Sequence, residues 1–222
     1  MINLNNVEAI LFDFGGTLDT DGIHWSIKFW ETYQKFQIPV SYEEFSEAYI
    51  NTEPEVNKFV KKDDNLKNTL SIQILLQLKY LKEKGIYISD DEQKIADKLA
   101  EYCFNDVAEN IQLIRPQLEE LNERYKLALV SNFYGNVVSV CKHLNIFQYF
   151  AIIVDSYDIA VSKPDPEIFN IALKKLNAYP ANRLLSGILT VEIFYRLKSL
   201  AAQLFGSKAK VTLILLTLKK PI

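Results

Sequence analysis

The sequence predicts an α/β fold, a parallel sheet interrupted early by a long helical insertion. Three observations carry that expectation. Short apolar runs of strand length recur at residues 7–12, 127–130 and 152–154, and each stops at a polar residue. Segments of helical period alternate with the later runs, a pattern that implies parallel strands with right-handed crossovers. From about His24 to Asn110 the texture is instead polar and helix-periodic throughout.

Taken in order, residues 7–12 (VEAILF) read as a buried strand entering a tight loop, because Asp13 and then Gly15-Gly16 follow. Ser41 with Glu44 three residues on marks a helix start ahead of Phe45, Ala48 and Tyr49. Leu70, Ile74, Leu75, Leu78 and Leu81 form an apolar stripe at helical spacing, and Gly85 ends that helix. Ser89 and Glu92 give a second start, for a helix through Ile95, Leu99 and Tyr102. After Pro116 a new helix over 117–125 leads into the strand 127–130, which ends at Ser131-Asn132. A helix over 137–144 precedes the strand 152–154, ending at Asp155. Lys163-Pro164-Asp165-Pro166 follows, and then a helix over 167–176. Parallel sheets bind ligands outside the carboxyl ends of their strands. Asp13, Ser131 and Asp155 occupy those ends.

Composition narrows the function. The chain has 222 residues, 49% hydrophobic and 24% charged, with a net charge of −3. That length allows roughly 70–75% of the unfolded surface to be buried. The charge balance lacks the basic excess of a nucleic-acid binder. Cys103 and Cys141 have no metal-ligand spacing, so reduced thiols are expected. The N-terminus has no basic region before its short apolar run, and no stretch reaches membrane-span length. The chain reads as cytoplasmic, with no membrane partner.

An Asp in a Gly-rich turn, a Ser-Asn pair and a Lys before Pro could together hold a phosphoryl group. Asp13 could attack phosphorus, forming an aspartyl-phosphate. Ser131 and nearby amides could bind the equatorial oxygens, and Lys163 could offset their charge.

These residues resemble the haloacid dehalogenase-like hydrolases. That family's first motif, DxDGT after an apolar strand, is matched by Asp13-Phe14-Gly15-Gly16-Thr17-Leu18-Asp19. The second, a Ser or Thr ending the next strand, is matched by Ser131-Asn132. The third, SxxxGxxKPxPxxF, is matched from Ser156 through Lys163 to Phe169, with Ala160 in place of Gly. The resemblance implies a Rossmann-like core over 1–18 and 111–222, with a helical cap inserted at 19–110. It implies Asp13 as nucleophile, with Ser131 and Lys163 as its catalytic partners and Gly16, Thr17 and Asn132 as substrate-binding residues. It also implies a Mg2+ ion held by Asp13 and the Gly15 carbonyl, and a small phosphorylated metabolite as substrate. Gly15 lacks the carboxyl that usually serves there as general acid and base, a loss on the order of 10²–10⁴ in rate where proton transfer matters. Two other readings follow from the same pattern: an inactive binding protein on a hydrolase scaffold, and a metal-independent dehalogenase.

The bland readings concern the surrounding polar residues. Asp19 and Asp21 are expected to solvate a hinge, and His24 and Trp25 to pack it. His143 is expected to be structural, and Lys61-Lys62-Asp63-Asp64 a solvated cap surface.

The fourth motif, GDxxxxD, should fall near residues 186–193, where the chain reads SGILTVEI. No Asp follows Asp165, and Glu192 is the only acid after Glu167. Reading codons one base out of register permits Val-Gly-Asp-Ser-Tyr-Gly-Arg-Asp from Leu185 onward. A single-base insertion or deletion near 181–183 would explain the missing motif, an evolved replacement tail is the competing reading, and the coding DNA decides between them. From Arg196 onward there are six basic residues and no acids, whereas the preceding residues carry 19 basic and 28 acidic. The nearly balanced total thus joins an acidic body to a basic, atypical tail over about 183–222, whose apolar segment 211–218 would then be an aggregation liability.

Overall fold

The computed structural model describes residues 9–178. Its sheet is parallel and three-stranded in the order β1-β2-β3, with β1 at Ala9–Phe12, β2 at Lys126–Ser131 and β3 at Ile152–Asp155. Phe12 lies opposite Leu129, and Ser131 opposite Asp155, so the three strands end along one edge. All four residues of β1 are buried. Alternate side chains part between two apolar clusters, Ile10 and Phe12 on one face and Ala9 and Leu11 on the other. A parallel sheet covered on both faces requires such an uninterrupted apolar run.

Between β1 and β2 stand four helices: α1 (Trp25–Lys35), α2 (Tyr42–Thr52), α3 (Leu66–Glu83) and α4 (Glu92–Arg124). The architecture is thus a Rossmann-like core with a helical cap. The capping box at Ser41 and Glu44 is formed in both directions. Leu70, Ile74, Leu78 and Leu81 are buried along α3, as the periodicity requires.

Two expectations are corrected along α4. Its first turn is capped by Asp91, whose side chain accepts from Lys94 N at 2.9 Å, and not by Ser89. The helix also runs through Pro116 for 33 residues, where a separate helix after the proline was expected. An interior proline costs about 3 kcal/mol. Val107, Ile111, Ile114, Leu118 and Leu121 stay buried on both sides of it, and each large apolar side chain contributes about 1.5–3 kcal/mol. Packing therefore outweighs the break. At about 1.5 Å per residue the helix is roughly 50 Å long, and it carries one apolar cluster from the cap into the core.

Beyond β2 lie α5 (Val137–His143), α6 (Ser156–Ile159) and α7 (Glu167–Lys175). The cap and core are tied by the buried Asn136, whose side chain donates to Asp64 O and Thr69 Oγ1 at 3.0 and 2.8 Å. Lys62 pairs with Asp158 at 3.2 Å, so the charged run at 61–64, exposed except for the half-buried Asp64, also touches the core. Cys103 and Cys141 are free and buried. Among the described residues no helix is long and apolar enough to cross a membrane. The fourth-motif region, the frame hypothesis and the tail all fall outside the described residues.

Candidate active site

Asp13 leaves β1 in extended conformation, and a five-residue turn, Phe14–Leu18, follows it. The turn buries Phe14 and Leu18 and is pinned to α4 by Asn110, which donates to Leu18 O at 2.8 Å. Gly16 sits at φ +76°, where a residue without Cβ is unstrained. This geometry leaves Asp13 at the mouth of a cleft.

Around the Asp13 carboxylate three donors converge. Oδ1 accepts from Phe14 N at 2.7 Å and from Ser131 Oγ at 3.4 Å. Oδ2 pairs with Lys163 Nζ at 2.5 Å. Lys163 Nζ also donates to Val130 O at 3.2 Å. Asn132 grips the Lys163 backbone in both directions, accepting from its N at 2.8 Å and donating to its O at 3.0 Å. The structure therefore brings Asp13, Ser131 and Lys163 together as the sequence pattern implies. Asn132 lines the cleft, but its side-chain hydrogen bonds hold Lys163.

The glycine turn is organised differently from expectation. Gly16 lines the cleft, yet its N–H donates to Asp19 Oδ1 at 2.8 Å. Thr17 is buried beneath the turn. Asp19 does not solvate a hinge: it is 1% exposed, and its Oδ2 accepts from Trp25 Nε1 at 2.7 Å. Burial pushes its carboxyl up to about 7, against the lowering effect of those hydrogen bonds, and the Asp13 charge adds to the rise. The reason is the loop itself, in which the half-buried Gly16 N–H takes the Asp19 carboxylate as its acceptor. Trp25 stacks on Phe29 with ring centroids 5.1 Å apart, so it packs the hinge as expected. His24 caps α1 through Ser26 N and lines the cleft. His143 Nδ1 donates to Ser139 O at 2.9 Å, one turn back in its own helix.

Asp155 stands at the third strand end but faces inward. It accepts from Gly135 N at 2.9 Å and Tyr157 N at 3.1 Å, and burial raises its pKa. It fixes the Gly135 turn, where a Cβ would come within 2.7 Å of the Tyr157 ring.

The cleft, about 310 Å³, extends from this cluster to the cap, where Tyr49, Glu53, Leu70, Gln73 and Tyr134 line it. Gln73 Nε2 donates to Tyr134 OH at 2.6 Å, and Tyr134 OH donates to Glu53 Oε1 at 3.2 Å. No local motif marks these residues, because the cap and the segment after β2, distant in sequence, bring them together.

The described residues offer a metal ion little. Asp13 and the Gly15 carbonyl are the donors that the family pattern implies, and no group of three or more His, Cys, Asp or Glu could hold a metal among the described residues. Magnesium is often bound by one or two carboxylates together with substrate phosphate oxygens. The donor set fits an ion that the substrate helps to hold, rather than a closed protein cage.

A fold of this kind, with Asp, Ser and Lys converging at the carboxyl edge of a capped parallel sheet, defines a class of hydrolases. The model of the haloacid dehalogenase-like hydrolase family matches residues 7–184, and the chain belongs to that family. The Rhythmically expressed gene 2 protein of Drosophila melanogaster is 28% identical over 74 residues, spanning 33% of this chain and 28% of that protein. Three solved structures resemble the chain more distantly. The putative HAD-hydrolase YfnB from Bacillus subtilis, bound to magnesium, is 15% identical over 77% of this chain and 74% of its own, with TM-score 0.44. An L-2-haloacid dehalogenase from Xanthobacter autotrophicus with chloropropionic acid covalently bound is 16% identical, covering 79% and 67%, with TM-score 0.44. A predicted phosphoglycolate phosphatase from Haemophilus somnus is 16% identical, covering 80% and 75%, with TM-score 0.39. At these values they say nothing about the substrate of this chain.

Proposed function

We propose that the chain is a magnesium-dependent phosphatase acting on a small phosphorylated metabolite through an aspartyl-phosphate at Asp13. The observation that carries this reading is the Asp13–Lys163 pair at 2.5 Å on the floor of the cleft, with Ser131 behind it. A carboxylate held against a fixed ammonium is suited to receive a phosphoryl group whose oxygens the same ammonium then neutralises. Asp13 Oδ forms the bond to phosphorus as the bond to the leaving oxygen breaks. Water then attacks phosphorus, releasing phosphate and restoring the carboxylate. Magnesium, when bound, would neutralise charge on the phosphoryl oxygens.

Gly15 supports this reading over dehalogenation. A Cβ there would meet only Trp25 Cδ1, at 4.0 Å, so the space beside Asp13 is open. Family dehalogenases typically carry a bulky residue at this position. The same glycine leaves no carboxyl to protonate a leaving alcohol, so esters with acidic leaving groups react best.

Hydrolysis of an aryl phosphate with magnesium, with Asp13→Asn alongside, tests the reading. We expect turnover that needs magnesium and falls on the order of 10³-fold or more in the variant. Equal rates in the two proteins would overturn catalysis through Asp13. Halide release from a 2-haloacid without metal would favour the dehalogenase, and no turnover of either substrate the inactive scaffold.

A further inference from the structure

The cap end of the cleft carries a carboxylate without a counter-ion. Glu53 follows α2 directly and is half-buried against the cleft. Tyr134 donates to its Oε1, and among the described residues no Lys or Arg forms an ion pair with it. Among the described residues the one lysine lining the same cleft, Lys163, is paired with Asp13.

The neighbouring groups fix Glu53 but do not neutralise it. Gln73 is 7% exposed and donates to the Tyr134 hydroxyl, so the phenol's own proton is directed at Glu53. Burial, and then the Glu53 charge, pushes the Tyr134 phenol up and the Tyr49 phenol up to about 12, so both stay protonated. A neutral polyol docked here would leave the carboxylate's charge uncompensated as the cleft loses water. An ammonium would offset it and would also take a charge-assisted hydrogen bond.

We propose that Glu53, held by Tyr134 and Gln73, selects a phosphate ester whose leaving alcohol carries a protonated amine. This deepens the phosphatase reading and rests on it for the phosphate end. The two ends of such a substrate meet opposite charges: the phosphate at Lys163, the ammonium at Glu53. A cleft of about 310 Å³ is at the small end of the range for ligand pockets, which suits a small phosphate ester.

The test is calorimetric binding of 2-aminoethyl phosphate and 2-hydroxyethyl phosphate to the full chain in magnesium buffer, at a pH where the amine is protonated. The wild type is expected to bind the amino ester about tenfold or more tighter than the hydroxy ester, a preference worth about 1.4 kcal/mol. Glu53→Gln, nearly isosteric, is expected to lose that preference, and Glu53→Asp to keep part of it. Thermal melts verify that each variant is folded. Equal affinity for the two esters in the wild type, binding of neither, or a preference that survives Glu53→Gln overturns the proposal. Turnover is scored separately: selective binding without hydrolysis of any ester would overturn the phosphatase reading and leave this selection standing.

Discussion

The floor and the roof of the cleft are built by different means. On the floor, Asp13 and Ser131 sit at adjacent strand ends, and Lys163 is clasped through its backbone by Asn132. Backbone register does most of the positioning there. At the roof, Glu53, Gln73 and Tyr134 meet only through side-chain bonds between segments 61 and 81 residues apart. A site fixed by register can keep its geometry while the roof changes.

Removing Lys163 should break the comparison most sharply. Lys163→Met leaves Asp13 with Phe14 N and Ser131 Oγ but no cation. We expect kcat for an aryl phosphate to fall on the order of 10²–10³-fold. The amino-over-hydroxy binding preference set at the roof should survive, since Lys163 meets the phosphate of both esters. Loss of that preference together with the rate would show that the two ends act as one unit.

Beneath the floor, Asp19 links the architecture to pH. Burial raises its carboxyl to about 7 in the folded protein, from the ordinary 3.8 that it has in the unfolded chain. Between those values the folded protein holds a proton that the unfolded chain has released. Stability therefore falls as pH rises from about 4 to about 7, and is fully present only below the lower value. At about 1.4 kcal/mol per unit the loss is on the order of 4 kcal/mol. Denaturant melts at pH 4.5, 6 and 7.5 should show this decline in the wild type and a flatter profile in Asp19→Asn. Parallel profiles would mean that another group carries the proton.

What the sequence makes legible follows the same division. Asp13 and Ser131 lie at strand ends, where a local apolar run and its terminating residue declare the position, and Lys163 is marked instead by the prolines that follow it. The cap helices are equally legible from capping residues and the α3 stripe. The course of α4 is not, because Pro116 is a local stop signal overruled by burial on both of its sides. Asp19 is misread for a related reason: an acid after a Gly-Gly turn looks solvated until its own burial, and its bonds from Gly16 N–H and Trp25 Nε1, are seen. Glu53 and Gln73 have no local signature, since only the packing of α2, α3 and the segment after β2 brings them together.

Gly15 offers a way to strengthen the floor without touching the roof. A side chain there meets only the edge of Trp25, at ordinary contact distance. Gly15→Asp supplies the missing proton donor beside Asp13. Hydrolysis of alkyl phosphates should rise by roughly 10–10²-fold, while aryl phosphates, whose leaving groups need no proton, change little. A uniform rise for both classes would point to metal affinity rather than proton transfer.

The smallest expected effect concerns Ala160, where the family pattern has glycine. It ends α6 at φ 54° and ψ 29°, in the left-handed region. For a residue with a Cβ this conformation costs roughly 1–2 kcal/mol. Glycine relieves that strain but loses more entropy on folding, by about 0.5–1 kcal/mol. Ala160→Gly should therefore stabilise the protein by about 0.5–1 kcal/mol, a rise of a few degrees in Tm. Lys163 is three residues beyond, yet its backbone is gripped by Asn132, so kcat should stay within about twofold of wild type. A tenfold change in kcat would show that the strained turn itself sets the lysine, and that the floor depends on more than strand register and the Asn132 clasp.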